Sequence, residues 1–286
     1  MQQVLKARRL RMPGLLFAFA VLSAFWLAAS GARADESEKS WRDLRETLFG
    51  TRPIEDGGAM LSLAAPERAD DPALVPVEIG DLRPDGAANR IKSLTLIVDE
   101  NPAPVAAVFS LSPEARVSAV ETRIRVNAYS NLRVIAETED GALHMVKRYV
   151  KATGGCSAPA SKNADEAIAS LGKMRLRHYP SKDGGETSEV QLQIRHPNYS
   201  GLQMDQVTGL YRAAHYVRAI AITADAKPIL SVEGAISLSE NPSLRFKYRA
   251  DGAKTLAAHV EDTEGKVFEQ SWDSGGGASD EGPAVR

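Results

Sequence analysis

The sequence predicts an all-β protein that contains two β-sandwich domains in tandem, preceded by a short N-terminal helix. Most of the 286 residues fall into short segments in which apolar and polar side chains alternate. Gly, Pro, Asn and Asp separate these segments, and Asp140-Gly141 is typical of a hairpin turn. Because long helical patterns do not intervene, these regularly spaced segments indicate sandwiches rather than a mixed α/β fold.

The N-terminus has the three parts of a secretory signal peptide, which we predict at residues 1–34. A basic stretch comes first, an apolar run spans 14–29, and Ala32-Arg33-Ala34 forms an A-x-A cleavage signal. The apolar run is shorter than the roughly 20 residues that a membrane-spanning helix needs. We therefore expect cleavage after Ala34 and a periplasmic protein. Arg8-Arg9 alone does not distinguish twin-arginine export from Sec export.

Removal of the signal peptide leaves an acidic chain. The full sequence has 35 Lys and Arg and 37 Asp and Glu, and residues 1–34 contain five of the basic residues and none of the acidic ones. The mature chain then has 30 basic and 37 acidic residues, a net charge of −7. Nucleic-acid binding needs a basic face, so this charge excludes nucleic acid as the expected partner.

The first sandwich domain is predicted over residues 35–153, with a helix before its strands. Trp41, Leu44 and Leu48 recur at i, i+3 and i+7, which gives one apolar helical face. Six segments then have strand character. They are 74–80, 91–99, 104–111, 118–128, 131–140 and 142–152.

A linker, a second sandwich domain and a disordered tail are predicted to follow. Residues 154–171 are rich in Ala and Ser, which is typical of a linker, although ADEAIASL within them has the composition for a turn or two of helix. The second domain spans 172–273, and the Gly-rich tail 274–286 is predicted to be disordered. Strands are predicted in the second domain at 172–180, 187–197, 215–225, 227–234, 243–250, 255–262 and 266–272.

Cys156 is the strongest candidate for a reactive residue, because it is the only cysteine in the chain. An internal disulfide is impossible, so a single thiol in an exported protein points to intermolecular chemistry. Gly154 and Gly155 precede it, and we predict that they give flexibility to an exposed arm that carries the thiol. Three upstream basic residues are expected to lower the pKa of that thiol; they are Lys147, Arg148 and Lys151.

Other chemistries lack the necessary residues. The five histidines form no HxH or HExxH motif and no Cys/His cluster, so we predict no metal site and assign each of them to a strand. Phosphate-binding glycine motifs are absent from the sequence, so no cofactor is predicted. A Cys-dependent catalytic triad would need a preorganised nucleophile, and a flexible Gly-Gly-Cys arm is a poor platform for one. The sequence therefore favours a covalent carrier over an enzyme.

At this point the sequence resembles a known family. Three stretches resemble SoxY, the sulfur-carrying subunit of the periplasmic thiosulfate-oxidising system: APERADDPALVPVEIG, VDENPAPVAAVFSLSPEARVSAVETRIRV and EDGALHMVKRYVKATGGC. Three more resemble its partner SoxZ: the stretch from KMRLRHYP to RAAHYV, SLSENPSLRFKYRA and HVEDTEGKVFEQSW. The resemblance covers nearly all of the mature chain, and it is closest to fused SoxYZ-like carriers associated with quinoprotein (PQQ-dependent) alcohol dehydrogenases.

The resemblance implies two immunoglobulin-like sandwiches that pair within one chain, and a covalent sulfur intermediate on the cysteine of the Gly-Gly-Cys motif. Gly154, Gly155 and Cys156 match that motif. The chain departs from the SoxY pattern after the cysteine, where Ser157 replaces a glycine and a second domain follows. A loop held at both ends reaches less far than a free C-terminal arm. His196-Pro197 and Gly201 match a SoxZ motif, and we assign them structural roles in a turn.

Two functions of different kinds follow. In the first, Cys156 carries a sulfur group, or an aldehyde or one-carbon adduct, and presents it to periplasmic sulfur-oxidation enzymes or to a quinoprotein dehydrogenase with its c-type cytochrome. In the second, the chain is a non-catalytic binding or assembly module for such a dehydrogenase or cytochrome, and Cys156 is incidental. A free-standing Cys-dependent enzyme has the least support.

Overall fold

A computed structural model describes residues 38–82, 89–159, 164–179, 187–206, 208–249, 251–274 and 284–285. The predicted signal peptide, residues 1–34, lies outside this part of the chain. Among the described helices, none is long and apolar enough to cross a membrane.

Helix α1, residues 38–49, packs on the first half of the chain through Trp41, which is buried with Ile97, Ile135 and Leu143. Leu44 and Phe49 complete the contact, whereas Leu48 is 40% exposed. The predicted helix is thus confirmed, but the prediction of Leu48 on its packed face is wrong. Phe49 takes that place because it lies at i+8 from Trp41, which is also on the same side of a helix.

A buried arginine ties α1 to the sheet below it. The Nε of Arg133 donates to both carboxylate oxygens of Asp99, at 3.0 and 2.9 Å. Its guanidinium carbon lies 4.5 Å from the centre of the Trp41 ring, and its Nη2 lies 3.1 Å from the carboxylate of Glu38 on the helix. A fully buried cation is tolerated here because a carboxylate and an aromatic face replace its water.

Sixteen strands and a second helix make up the rest of the described fold. Those of the first half are β1 (Ile54–Asp56), β2 (Ser62–Ala64), β3 (Val75–Gly80), β4 (Ile91–Val98), β5 (Val105–Leu111), β6 (Ala119–Ile124), β7 (Ser130–Thr138) and β8 (Leu143–Val150). Helix α2 (Ala164–Ala169) follows. The second half has β9 (Met174–Tyr179), β10 (Thr187–Ile194), β11 (Val217–Ala224), β12 (Lys227–Gly234), β13 (Ser243–Arg249), β14 (Thr255–Asp262), β15 (Val267–Asp273) and β16 (Ala284–Val285).

These strands form two sheets. The larger has the order β1-β8-β7-β4-β5-β12-β11-β14-β15-β16, and the smaller has the order β2-β3-β6-β13-β10-β9. All pairs are antiparallel except β1 with β8. In β14 every second side chain is buried, which is the period expected of a strand with one face against a core. The predicted all-β sandwich class is therefore confirmed.

The two halves join edge to edge in both sheets. In the larger sheet β5 pairs with β12, and Phe109 lies opposite Val232. In the smaller sheet β6 pairs with β13, and Val120 lies opposite Phe246. All four side chains are at most 3% exposed, and burying a side chain of this kind stabilises the fold by about 1.5–3 kcal/mol. One core with residues from both halves results, so the halves pair within the chain as the sequence implied.

Two features differ from the sequence prediction. The three-residue strands β1 and β2 were not predicted. The tail 274–286 is not disordered throughout, because β16 pairs with β15 through Phe268 and Glu269. Within the segment 154–171, the turn or two of helix expected in ADEAIASL is present as α2, and Leu171 packs against the main core.

Candidate functional site

Cys156 lies in a tight turn immediately after the last strand of the first half. The backbone N–H of Gly154 donates to the carbonyl of Asn127 at 2.8 Å, and that of Gly155 donates to Val126 at 3.0 Å. Ser157 closes the turn by donating its N–H to the Gly154 carbonyl at 3.2 Å. We call residues 154–158 the carrier loop. Its backbone is fixed to the chain that follows β6.

The structure requires glycine at both positions of the motif, but for different physical reasons. Gly154 has φ of +80°, a conformation that favours glycine, and no atom within 4 Å of the place where a Cβ would be. At Gly155 a Cβ would lie 2.1 Å from the carbonyl oxygen of Pro72 and 2.7 Å from that of Val126. Gly155 therefore permits close approach of three backbone segments. The prediction that it makes a flexible arm is wrong for this structure.

The thiol is not exposed. Cys156 has 0% of its surface accessible, whereas the sequence prediction placed it on an exposed arm, so that prediction is also wrong. The thiol is buried by a tertiary contact, because a segment of the second half, residues 196–206, lies over the carrier loop. We call this the cover segment.

Polar side chains of the cover segment bind the carbonyls of the carrier loop. Ser200 Oγ donates to the carbonyl of Cys156 at 2.5 Å, and Gln203 Nε2 donates to that of Ala158 at 2.9 Å. Gln203 Oε1 also accepts the backbone N–H of Ser200 at 3.2 Å. Both side chains belong to buried residues, so these bonds form in a medium where an unpaired carbonyl would cost about 1–3 kcal/mol.

Arg125 connects the same two segments from below. Its Nη1 donates to the Gly155 carbonyl at 3.3 Å, and its Nη2 donates to the Asn198 carbonyl at 3.2 Å. The residue is 2% exposed, and its backbone is held by Asn101 and Ser237. Arg125 thus places a buried positive charge beside the residue that precedes Cys156.

Burial controls the protonation of the thiol. Burial raises the pKa of Cys156 to about 11, and the positive charge of Arg125 opposes that rise. The thiol is therefore neutral at pH 7. Two of the residues expected to lower this pKa are paired elsewhere, Lys147 with Glu38 at 2.6 Å and Lys151 with Glu67 at 2.7 Å. Arg125, which the sequence analysis did not select, is the cation that acts on the thiol.

Two histidines and an aspartate meet at the base of the cover segment. His215 Nε2 lies 2.7 Å from Asp262 Oδ2, His196 Nε2 lies 3.6 Å from the same oxygen, and the two rings are 4.6 Å apart. These histidines were predicted in separate strands, and the fold brings them together with Asp262 as three possible metal ligands.

The hydrogen bonds of this cluster favour a structural role. The backbone N–H of Asn198 donates to His196 Nδ1 at 3.0 Å, so neutral His196 carries its proton on Nε2 and has no lone pair there for a metal. Burial and the neighbouring His215 lower the pKa of His196 to about 4. The cluster therefore closes the base of the cover segment with a neutral His196, which agrees with the structural role assigned to His196.

Sequence reasoning missed Arg125, Ser200 and Gln203. Alternation along 119–124 continues to Arg125 as an outward-facing position, and nothing local shows that a segment of the second half covers it. The cover segment is polar and turn-rich, which predicts a loop but not its partner. Its contacts are separated from the carrier loop by more than forty residues of sequence, so no periodicity links the two.

Two family models match the chain in tandem. The model of the sulfur oxidation protein SoxY matches residues 45–156, and that of the sulphur oxidation protein SoxZ matches residues 175–273. The first match ends at Cys156. Among solved structures, the sulfur carrier protein SoxY from Chlorobium limicola f thiosulfatophilum is 30% identical over 41% of this chain and 99% of its own length, with a TM-score of 0.34. A comparison with curated proteins found no match.

Proposed function

We propose that this chain, which belongs to the SoxY and SoxZ families as a SoxY domain and a SoxZ domain in one polypeptide, carries sulfur intermediates covalently on Cys156. The observation that carries the proposal is the position of Cys156. It is the only thiol, it ends the SoxY match, and the SoxZ domain encloses it through Ser200 and Gln203. Enclosure of one thiol by a second domain suits a carrier that protects its cargo between partners.

Loading needs the carrier loop to open. The sulfur has no accessible surface and the thiol is neutral at pH 7, so it cannot attack an electrophile while the cover segment is in place. Release of the two cover-segment bonds to Cys156 and Ala158 exposes the turn. Cys156 lies six positions beyond Val150, the end of β8, so an extended loop would carry the thiol at most about 20 Å from that strand.

Attachment of thiosulfate would be a two-electron oxidation. The deprotonated sulfur of Cys156 forms a bond to the outer sulfur of thiosulfate, giving an S-linked thiosulfonate, and two electrons and the thiol proton are released. The chain itself supplies no electron acceptor in this proposal. A partner enzyme with a c-type cytochrome would accept the electrons, and other partners would remove the cargo.

The proposal also includes the cellular location of the protein and the pathway that it serves. The signal peptide predicted at residues 1–34 would deliver the protein to the periplasm, where sulfur-oxidation enzymes of this class would meet it. The resemblance to carriers associated with quinoprotein alcohol dehydrogenases adds a narrower assignment, in which the partner is such a dehydrogenase or its cytochrome and the cargo is a related thiol adduct.

The complete burial of the thiol supports one alternative. A neutral cysteine with no accessible surface is also what an incidental core residue looks like. In that case the two domains form a docking module for a periplasmic dehydrogenase or cytochrome, and Cys156 contributes only packing.

Complementation of a deletion strain separates these functions. Cys156→Ser is compared with Ser157→Ala, a neighbouring change that keeps the thiol, during growth on thiosulfate and on an alcohol as electron donors. A carrier predicts that Cys156→Ser fails on the substrate of its pathway while Ser157→Ala grows like wild type. Normal growth of Cys156→Ser at normal protein level would leave the docking module as the function. The substrate on which the deletion strain fails identifies the pathway.

A further inference from the structure

Arg125 is a buried cation that lacks a direct counter-charge. The residue is 2% exposed, and among the described residues its guanidinium donates to two backbone carbonyls, those of Gly155 and Asn198. Its Nε has no hydrogen-bond partner. Within the described ranges no carboxylate lies within ion-pair distance of it. Burying a charge without a counter-ion is costly, so an uncompensated guanidinium needs an explanation.

Arg133, in strand β7, is a buried arginine that does have a counter-charge. The free-energy cost of burying its charge is offset by hydrogen bonds to both carboxylate oxygens of Asp99. Three groups that can carry negative charge raise the pKa of Arg125 and so stabilise its charged form. Ionised Cys156 has the largest effect, followed by Glu240 and Asp71. Cys156 is a neutral thiol at rest. The strongest compensating charge available to Arg125 is therefore one that is present only when Cys156 is ionised or carries an anion.

We propose that Arg125 is the binding site for an anionic group carried on the sulfur of Cys156, so that it makes the carrier selective for negatively charged cargo. The class of ligand is an S-linked sulfonate or thiosulfonate, or a persulfide anion. This inference rests on the proposed function of Cys156 as the carrier residue, and it adds which cargo the loop retains and which residue recognises it.

Opening of the carrier loop makes the donors of Arg125 available. Arg125 lies within the SoxY match and the carrier loop lies at its end, whereas Asn198 belongs to the cover segment of the SoxZ domain. Displacement of the cover segment removes the Asn198 carbonyl from Nη2 and leaves the bond from Nη1 to the Gly155 carbonyl. Nη2 and the unpartnered Nε then form the adjacent pair of N–H donors that binds sulfonate or carboxylate oxygens bidentately.

A neutral adduct gains nothing from this arrangement. It also occupies space beside Cys156 and displaces the cover segment, but it leaves the guanidinium without a counter-charge. The difference between an anionic and a neutral adduct on the same sulfur therefore measures the role of Arg125.

Chemical loading tests the inference without partner enzymes. Tetrathionate reacts with the Cys156 thiolate, which bonds to an inner sulfur while the electron pair of the broken S–S bond leaves with thiosulfate, giving the anionic S-linked thiosulfonate. Methyl methanethiosulfonate reacts in the same way, releases methanesulfinate and gives a neutral methyl disulfide. Neither reaction needs an oxidant, and intact mass confirms complete loading of the mature protein.

The readout is the equilibrium constant for unfolding in urea of each loaded form. In wild type, we expect the anionic form to unfold with a constant at least tenfold smaller than that of the neutral form. In Arg125→Met, which keeps an unbranched side chain but neither the charge nor the N–H donors, the difference disappears. Arg123→Met is the matched control, because Arg123 is half-buried nearby and donates to Asn241, and it should keep the wild-type difference.

A second measurement applies if Arg125→Met does not fold. The alkylation rate of Cys156 in the wild-type protein is measured with iodoacetate, an anion, and with iodoacetamide, its neutral analogue. Both reagents need the loop to open, so the opening equilibrium cancels in the ratio of the iodoacetate rate to the iodoacetamide rate. We expect this ratio to be at least fivefold higher for Cys156 than for N-acetylcysteine.

Equal stability of the two loaded forms in wild type, or a rate ratio equal to that of N-acetylcysteine, would overturn the inference. These outcomes are independent of the growth test. Anion preference in the loaded protein with normal growth of Cys156→Ser refutes the carrier function alone, whereas loss of growth without anion preference refutes the role of Arg125 alone.

Discussion

Substitution of Gly155 by alanine tests whether the carrier loop is held closed by backbone packing. The added Cβ would lie 2.1 Å from the Pro72 carbonyl oxygen, where ordinary contact is 3.4–4 Å. The loop must therefore move by more than 1 Å, and the neighbour is backbone that cannot turn aside. Such a shift also strains the bonds from the Gly155 N–H to Val126 and from Ser200 to the Cys156 carbonyl.

The expected cost follows from these contacts. Overpacking of this kind costs about 1–3 kcal/mol, and a weakened hydrogen bond costs about 1 kcal/mol more, giving roughly 2–4 kcal/mol against the closed loop. The closed loop can relieve this strain by opening locally. Since 1.4 kcal/mol is a factor of ten, the open population should rise about 30- to 700-fold.

Thiol labelling measures that population. Reaction of Cys156 with an aromatic disulfide reagent under native conditions proceeds through the open loop, so its rate follows the opening equilibrium when closing is fast. Urea unfolding of the same variant gives the global stability. Gly252→Ala is the control, because Gly252 has φ of +74° in a turn between β13 and β14 and no atom lies within 4 Å of the place where its Cβ would be. It should lower global stability by about 1 kcal/mol and leave labelling unchanged.

A Gly155→Ala protein with the wild-type labelling rate and the wild-type free energy of unfolding would refute this reasoning. It would mean that the carrier loop does not pack against Pro72 in solution, and that Gly155 serves flexibility as the sequence first suggested.

Three further predictions concern the same region. Ser200→Ala removes the donor to the Cys156 carbonyl, so labelling of the thiol should rise about 5- to 30-fold for a loss of about 1–2 kcal/mol, while Ser271→Ala on an exposed strand position should have no effect. At alkaline pH, the unfolded chain loses the Cys156 proton near pH 9 and the folded chain keeps it to about pH 11. Stability measured by urea unfolding should therefore fall by up to about 1.4 kcal/mol per pH unit across this window from Cys156 alone, and Cys156→Ser should reduce the slope by that amount. At acid pH, the unfolded chain binds a proton at His196 from about pH 6.5 downward, whereas the folded chain resists it to about pH 4. Stability should accordingly fall as the pH decreases through this window, and His196→Gln should flatten the profile; an unchanged profile in that variant would contradict a buried neutral His196.

Most of the strand content could be predicted from the sequence because it depends on local alternation. The segments 227–234 and 255–262 have the same bounds in the structure as in the prediction. Pairing between the halves could not be predicted from alternation, because Phe109 and Val232 become neighbours only when two distant edges meet. The three-residue strand β1 was missed because a period of two is not recognisable over three residues.

The candidate residue could be selected from the sequence, but its environment could not. Cys156 was found by its uniqueness and by the two glycines before it. Its burial depends on Ser200 and Gln203, which approach from another domain and leave no local pattern. Arg125 follows the alternation of an exposed residue and is buried by the same segment, so its charge beside the thiol is visible only in three dimensions.

The central claim is that Cys156 carries a covalent sulfur group in the cell. Its most direct test is the intact mass of the protein isolated without reductant from cells oxidising a reduced sulfur compound. The account predicts a fraction with added mass equal to one or more sulfur atoms, with or without three oxygens, mapped to the peptide that contains Cys156 and absent from Cys156→Ser. An unmodified thiol under all growth conditions that induce the pathway would contradict it.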